Sequence, residues 1–195
     1  TGKAGLTFQM RDIYAFNNTR STAAGGGTFD TYMNSDNVNT NGWGRPAHLR
    51  SALTSTFWGY LPASVQSAIA PVDKYQQLPG GTTDTYLQKT TEETVWLPST
   101  YEVFGTTFSG YNESEGLTAN GYTPFQYMAY QGNAGSTINT KAIKAYNGFA
   151  SGSGQWLRSA SLRRGTTDFC YLSWNGLRND NGASVTGGAA PAFCL

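Results

Sequence analysis

The sequence predicts an α+β fold in a single domain. One strand pattern near the start is followed by two helical patterns, and the remainder is mostly short strand patterns separated by long loops. Strands and helices that are segregated along a chain are typical of the α+β class. The 195 residues contain neither an internal repeat nor a long linker, so we expect one domain over residues 1–195.

The first third of the chain predicts one strand and two helices. Apolar and polar residues alternate from Leu6 to Met10, which favours a short opening strand. Pro46 opens a helical stretch, in which apolar residues recur at every fourth position and share one face. This stripe consists of Leu49, Leu53 and Phe57. A second short helix begins at Pro62 and ends before Pro71, and we expect both helices to pack side by side on a sheet.

Four further strands are predicted in the second half of the chain. Each is a short run of apolar, aromatic or β-branched residues, as strands favour. The four runs are 94–97, 155–158, 168–172 and 190–195. Because side chains alternate along a strand, Phe169 and Tyr171 should face one side of the sheet and Cys170 and Leu172 the other.

Capping boxes, turn signals and loops divide these strands. Ser99-x-x-Glu102 predicts a short helical turn, and Thr123-Pro124-x-Gln126 predicts a helix that continues to Tyr130. Asn175-Gly176 and Asn181-Gly182 are sequences that tight turns favour. Two stretches rich in Gly and Thr predict loops. They are 21–28 and 79–85.

The composition argues against several classes of function. Hydrophobic residues make up 38%, which is enough for a core, and charged residues only 13%, about half of the usual share. A net charge of +1 gives no electrostatic footprint for nucleic acid or an anionic membrane. No apolar run approaches the roughly 20 residues that span a bilayer, so we expect no membrane insertion. Abundant Gly, Ser, Thr and Asn favour an extracellular or virion domain, and a start at Thr1 indicates a processed form or a fragment.

The residues that usually carry chemistry predict no enzyme, no metal and no cofactor. His48 is the only histidine, and we expect a surface or structural role for it. The densest acidic spots, Glu92-Glu93 and Glu113-x-Glu115, lack the oxygen-ligand spacing of a calcium loop. Cys170 and Cys194 are too few for a disulfide scaffold, and one bridge or two buried free thiols both remain open.

Several motifs, taken in order along the chain, carry a resemblance to a known family. They are Asn41-Gly42-Trp43, Leu49-Arg50-Ser51, Leu61–Ile69, Trp96-Leu97-Pro98-Ser99-x-x-Glu102, Ile143–Gly148, Gln155-Trp156-Leu157-Arg158-Ser159, Phe169-Cys170-Tyr171 and Ala190–Leu195. In this order they resemble a family of domains of unknown function that is common in gut Firmicutes and their phages. The resemblance covers residues 6–195, and the last motif is the most specific. Ala190 stands where that family usually has an Arg, so this chain lacks any role of that side chain.

That family is similar to the C-type-lectin-like group, which includes formylglycine-generating-type domains and the variable proteins of diversity-generating retroelements. In such variable proteins, adenine-directed mutagenesis rewrites codons near the end of the gene, and a rigid sheet displays the altered side chains. The resemblance implies a C-type-lectin-like fold, with two helices packed on short antiparallel strands with long loops. It also implies a variable display segment over residues 161–186.

The display segment supplies the candidate ligand-binding residues, which lie between framework positions that match the family. The framework positions are Phe169, Cys170, Asn175, Gly176 and Ala183. The candidates are Leu162, Arg163, Arg164, Thr166, Asp168, Tyr171, Ser173, Trp174, Leu177, Arg178, Asn179 and Asp180. Tyr, Trp and Arg dominate binding hot spots, and we expect those of this segment to share one outward surface. The competing interpretation makes the two neighbouring arginines a solvated turn and Trp174 part of the core. We expect Trp156 in the core and Arg158 as a buried anchor for loop carbonyls.

The predicted function is that of a variable ligand-binding protein, on a virion surface or on an extracellular or cell surface. Its expected partner is a protein or glycan receptor on a cell. The alternative is a structural or decoration protein of a virion or cell surface. A third candidate, an oxidase of the formylglycine-generating type, needs two close cysteines beside copper, whereas Cys170 and Cys194 are 24 positions apart. The ligand and the oligomeric state stay open.

Overall fold

The computed structural model describes residues 5–11, 32–34, 36–40, 42–44, 48–77, 87–105, 140–142, 144–146, 149–161, 165–185 and 187–195. The helix predicted from Thr123 to Tyr130 and the loops predicted at 21–28 and 79–85 lie outside these residues. The candidate binding residues Leu162, Arg163 and Arg164 lie outside them as well.

Both helices predicted in the first third are present. Helix α1 (His48–Ala52), a π-helical turn (Leu53–Phe57) and helix α2 (Trp58–Tyr60) follow one another without a break, and α3 spans Ala63–Ala68. The predicted stripe is buried. It consists of Leu49, Leu53 and Phe57. The side-chain amide of Gln66 in α3 donates to the carbonyls of Trp58 and Leu61, which ties the two helical stretches together.

The described strands form four small antiparallel sheets. Strand β1 (Thr7–Gln9) pairs with β9 (Ala192–Cys194), β2 (Val72–Gln77) with β3 (Leu87–Glu93), and β4 (Lys144–Tyr146) with β5 (Phe149–Ser153). The fourth sheet has the order β6 (Gln155–Ala160), β7 (Asp168–Leu172) and β8 (Arg178–Gly182). Short helices beside small antiparallel sheets confirm the α+β class.

One predicted strand does not form, and one predicted turn lies at a different position. Residues 94–97 do not form a strand: Trp96 makes one isolated bridge to Ala192, and Pro98, which has no N–H, follows two positions later. The Asn181-Gly182 pair ends β8, and the turn comes after it, closed by the Val185 N–H donating to the Gly182 carbonyl at 2.9 Å. The turn at Asn175-Gly176 is confirmed, with Gly176 at φ 83°.

Two hydrophobic clusters lie on either side of β7. Phe169 belongs to the larger cluster, together with the stripe of the first helical stretch and with Trp43, Trp96 and Trp156. Cys170 and Leu172 belong to the smaller cluster, with Val103, Phe104, Ala142 and Leu157. The alternation predicted along this strand is therefore confirmed.

The two cysteines settle the alternative that the sequence left open. Both are buried free thiols. Cys170 lies on β7 in the smaller cluster, whereas Cys194 lies on β9 in the larger one, where its Sγ is 3.3 Å from Thr7 Oγ1. They pack as small apolar side chains in separate parts of the fold.

A short helix built on the predicted capping box completes the described core. Helix α4 spans Thr100–Phe104. The Ser99 side chain accepts from the Glu102 N–H, and the Glu102 carboxylate accepts from the Ser99 N–H at 2.8 Å. Gly105 ends the helix in the left-handed region at φ 68°, where a glycine is favoured. The helix thereby carries Glu102 into the protein interior, where its side chain meets two cations.

Candidate functional site

The β7–β8 hairpin carries most of the described candidate residues, and its register assigns each to a face. Cys170 lies opposite Asp180, Tyr171 opposite Asn179, and Leu172 opposite Arg178. Residues directly opposite one another share a face of the sheet. Tyr171 and Asn179 therefore lie on one face, and Arg178 and Asp180 lie on the other.

Tyr171 is half-buried on the first of these faces. Its ring meets Trp156 edge to face, with centroids 5.3 Å apart and an interplanar angle of 73°. The phenol also lies against the backbone of Gly154, where an added Cβ would be only 1.7 Å from Tyr171 Oη. Burial raises the pKa of the Tyr171 hydroxyl. The ring thus packs between β6 and the neighbouring backbone instead of standing free on the surface.

Arg178 and Asp180 turn inward and bind each other. Arg178 Nη2 lies 2.8 Å from Asp180 Oδ1, and the two side chains are only 8% and 4% exposed. The expectation that Tyr171 and Arg178 share one outward surface is wrong, because the register places them on opposite faces and both are largely covered. The ion pair therefore stabilises the sheet, and its two largely buried charges are little exposed to a binding partner.

The outward residues lie at the ends of the hairpin. Trp174 is 66% exposed and Leu177 is 37% exposed, and both belong to the turn that joins β7 to β8. The interpretation of Trp174 as core is therefore wrong. Thr166 is exposed at the opposite end of β7, and Asn179 is exposed along β8. Asp168 and Ser173 are partly buried, and the Asp168 carboxylate accepts from Thr167 Oγ1 at 2.6 Å.

We call residues Ser173–Leu177 the hairpin tip, and its backbone is held by its own polar groups. The Ser173 N–H donates to the Leu177 carbonyl and the Gly176 N–H to the Ser173 carbonyl, both at 2.9 Å. The Ser173 hydroxyl lies 2.6 Å from Asn175 Oδ1 and 2.9 Å from the Leu177 carbonyl oxygen. Asn175 Oδ1 also accepts from the Leu177 N–H at 3.2 Å. These hydrogen bonds hold the turn in place, and the exposed indole of Trp174 takes no part in them.

A buried charged centre lies beside the hairpin, and only part of it was predicted. We define the charged centre as Lys74, Glu102 and Arg158. Arg158 is fully buried, and it donates to the Glu102 carboxylate, to the Leu97 carbonyl at 2.9 Å and to the Tyr75 carbonyl at 3.2 Å. The predicted role of Arg158 as an anchor for loop carbonyls is confirmed. Its ion pair with Glu102 was not predicted, because the two residues are far apart in the sequence.

Lys74 is the second cation of the charged centre. Its Nζ lies 3.1 Å from Glu102 Oε1 and 4.0 Å from the centroid of the Trp96 ring. Burial acts to raise the pKa of Glu102, but the charges of Arg158 and Lys74 outweigh it and lower that pKa to about 2. Burial lowers the pKa of Lys74, against the effect of Glu102. The three side chains join β2, α4 and β6 in the interior, which is a scaffold role.

The remaining sites considered from the sequence show scaffold or surface positions. His48 is exposed and stacks on Tyr32 with ring centroids 4.5 Å apart. Trp156 is buried, as predicted. Among the residues that the structure describes, no cluster of three or more His, Cys, Asp or Glu side chains could hold a metal ion. No helix within these residues is long and apolar enough to cross a membrane.

The fold and the hairpin define an α+β domain that exposes an aromatic and an aliphatic side chain on a rigid turn. The chain belongs to the family described as a domain of unknown function (DUF6273), whose model matches residues 7–195. This confirms the coarser part of the resemblance drawn from the sequence motifs. No curated protein and no solved structure matches the chain.

Proposed function

We propose that this chain is a ligand-binding module whose hairpin tip makes the central contact with a receptor on a cell surface. The observation that carries the proposal is Trp174, which is 66% exposed on a turn held by internal hydrogen bonds. Exposed tryptophans are favoured anchors of binding interfaces because they bury a large area and lose little side-chain entropy. Leu177, 37% exposed on the same turn, extends the apolar contact.

The proposal includes the finer parts of the family resemblance. The chain has a C-type-lectin-like fold and acts as the variable protein of a diversity-generating retroelement, on a phage virion or on a bacterial cell surface. Support comes from the two helical stretches beside short antiparallel strands, and from the exposed residues that follow framework positions in the last third. Phe169 and Cys170 point into opposite clusters and fix β7, which leaves the exposed positions 166, 174 and 177 beyond its two ends to vary.

The exposure of the described candidate residues supports a smaller proposed contact set. Thr166, Trp174, Leu177 and Asn179 are the described candidates that are exposed, and they form the proposed contact set. Tyr171, Arg178 and Asp180 act behind them as supports, through the Trp156 contact and the internal ion pair. The exposed candidates that the structure describes are uncharged, so any dependence of receptor binding on salt concentration would come from Arg163 and Arg164, which stay in the proposed contact set.

Binding to intact cells tests the proposal. The labelled chain is applied to a panel of gut bacterial strains, and bound label is counted by flow cytometry for wild type, Trp174→Ala and Leu177→Ser. Tyr60→Ala is the matched control, because Tyr60 is an aromatic residue that is 72% exposed on α2, an element outside the hairpin. We expect at least one strain to bind the wild type and the control. On that strain, the signal of Trp174→Ala should be at least about tenfold lower, which is the size of effect that a hot-spot residue gives. Equal binding of wild type and Trp174→Ala to every strain would contradict the proposal.

Sequence variation tests the retroelement part separately. Sister genes from one population should differ at the exposed positions, above all at 166, 174, 177 and 179, and agree at the framework positions. A reverse transcriptase gene and a near-identical template repeat should lie beside the gene. Differences scattered evenly over the chain, with no such neighbours, would leave a structural or decoration protein as the better interpretation.

A further inference from the structure

Asn39 is a fully buried polar residue far in sequence from the hairpin, yet its side-chain and backbone N–H groups donate to carbonyls at positions 161, 165, 166 and 168, where the chain leads into β7. Its side-chain Nδ2 donates to the carbonyls of Asp168 at 2.5 Å, Ser161 at 3.2 Å and Gly165 at 3.4 Å. Its backbone N–H donates to the carbonyl of Thr166 at 2.8 Å. An amide has two N–H groups, so one of them is shared between two of the three acceptors.

The amide orientation follows from these neighbours. Rotating the group would place Asn39 Oδ1 against the same three carbonyl oxygens, which accept and cannot donate. In the orientation found, Oδ1 is buried and has no hydrogen-bond partner among the described residues. A buried amide that leaves its oxygen unsatisfied while it binds several carbonyls acts chiefly as a donor to the loop.

Two further contacts of this loop also use its main chain. The Ser161 N–H donates to the Asp168 carbonyl at 2.9 Å and closes the loop at its base. The Ala183 N–H, from the turn after β8, donates to the Thr167 carbonyl at 2.9 Å. Carbonyls at positions 161 and 165–168 are therefore all bound by Asn39 or by backbone N–H groups. Thr166, between these anchors, keeps its side chain exposed.

We infer that Asn39 is a positioning residue for the binding surface, because it fixes the backbone of Ser161 and of residues 165–168, the described part of this loop, through carbonyl groups that every amino acid has. Side chains that point outward from this loop can then change without a change in its shape. The role in binding rests on the proposed function, whereas the control of loop shape does not. Asn39 lies just before the Asn41-Gly42-Trp43 motif and was not among the candidate binding residues. With this inference, a residue of the N-terminal third contributes to the proposed binding surface.

Hydrogen exchange of single amides tests the inference, with Asn34 as the matched control. Asn34 is also a buried asparagine of this segment, but its side chain donates to the Val38 carbonyl at 2.7 Å. In Asn39→Ala, the amides of Ser161 and residue 39 should exchange at least about tenfold faster than in Asn34→Ala, as expected for local opening of a loop that has lost several bonds. In Asn39→Asp, the same two amides should exchange faster still, because a carboxylate oxygen would face three carbonyl oxygens. Equal exchange in Asn39→Ala and Asn34→Ala would overturn the inference.

A second series keeps Asn39 and changes the exposed side chain, so it does not depend on whether the Asn39 variants fold. Thr166→Ala, Thr166→Arg and Thr166→Tyr should leave the exchange of the Ser161 and Asn39 amides within about twofold of wild type, and Tm within about 2 °C. Faster exchange in any of them would show that the loop depends on its side chains. These results hold whether or not Trp174 contributes to receptor binding, so failure of the proposed function would be recognised separately.

Discussion

The charged centre and the loop that leads into β7, in its described residues Ser161 and 165–168, are fixed by different kinds of contact. The charged centre depends on the chemistry of three particular side chains, with Glu102 held between Lys74 and Arg158. The loop depends on carbonyl groups bound by Asn39 and by backbone N–H groups. Because every residue has a carbonyl, the second arrangement tolerates changes that the first does not. Substitutions in the charged centre should therefore cost more stability than substitutions of the exposed Thr166 side chain.

The largest expected effect is at Glu102. Glu102→Gln keeps the size of the side chain but removes the buried negative charge that both Lys74 and Arg158 contact. Removing one partner of a buried ion pair costs about 3–5 kcal/mol, so we expect a loss of that order in the free energy of unfolding. Urea unfolding, followed by fluorescence of the buried tryptophans, measures it. Thr166→Arg is the contrasting variant, and a similar loss in both would remove the distinction between the two regions.

Acid should destabilise the protein through the same carboxylate. The pKa of Glu102 is lowered from 4.5 to about 2, so the charged form stabilises the fold above the pKa of the unfolded chain. That stabilisation is lost as the pH falls from about 5 towards 2, and it amounts to about 3 kcal/mol, since one pKa unit corresponds to about 1.4 kcal/mol. Urea midpoints of wild type and Glu102→Gln, measured between these pH values, should converge at low pH. Parallel curves for the two proteins would show that Glu102 is not the group that titrates.

The contact between Gly154 and Tyr171 should give a smaller effect. Gly154→Ala places a Cβ 1.7 Å from Tyr171 Oη, and overpacking of this kind costs about 1–3 kcal/mol. Because the ring is only half-buried, it can shift, which keeps the expected cost at the lower end. A double-mutant cycle with Tyr171→Ala isolates the contact, and the cost of Gly154→Ala should nearly disappear in that background. An unchanged cost would mean that the alanine strains the backbone itself.

Local periodicity explains what could be predicted from the sequence. The stripe Leu49, Leu53 and Phe57 and the alternation along β7 depend only on neighbours in the chain. The pairing of β2 with β3 escaped prediction because the positions of these strands that the structure describes as buried are polar. They are Lys74, Gln76, Thr90 and Glu93. Burial of such residues depends on partners elsewhere in the fold, such as Arg50 for Glu93, and these partners have no fixed spacing in the sequence.

The candidate site shows the same limit. Exposure of Trp174 and Leu177 agrees with their place beside the predicted Asn175-Gly176 turn, so this part was within reach of the sequence. The inward pairing of Arg178 with Asp180 was not, because it depends on the register of the hairpin. Asn39 gave no signal, since an asparagine near Gly42 is as typical of a turn as of a buried anchor.

The smallest expected change in stability is at the hairpin tip, where it should still affect binding. Ser173→Ala removes a hydroxyl that lies 2.6 Å from Asn175 Oδ1 and 2.9 Å from the Leu177 carbonyl oxygen, and we expect a loss of about 0.5–1.5 kcal/mol in the free energy of unfolding. The contact residues remain, but a looser tip must be ordered when it binds. Cell binding should therefore weaken more than stability suggests, mainly through faster dissociation in a wash-out measurement. Ser64→Ala, at an exposed serine of α3, is the control, and equal dissociation rates for the two variants would mean that the turn needs no help from Ser173.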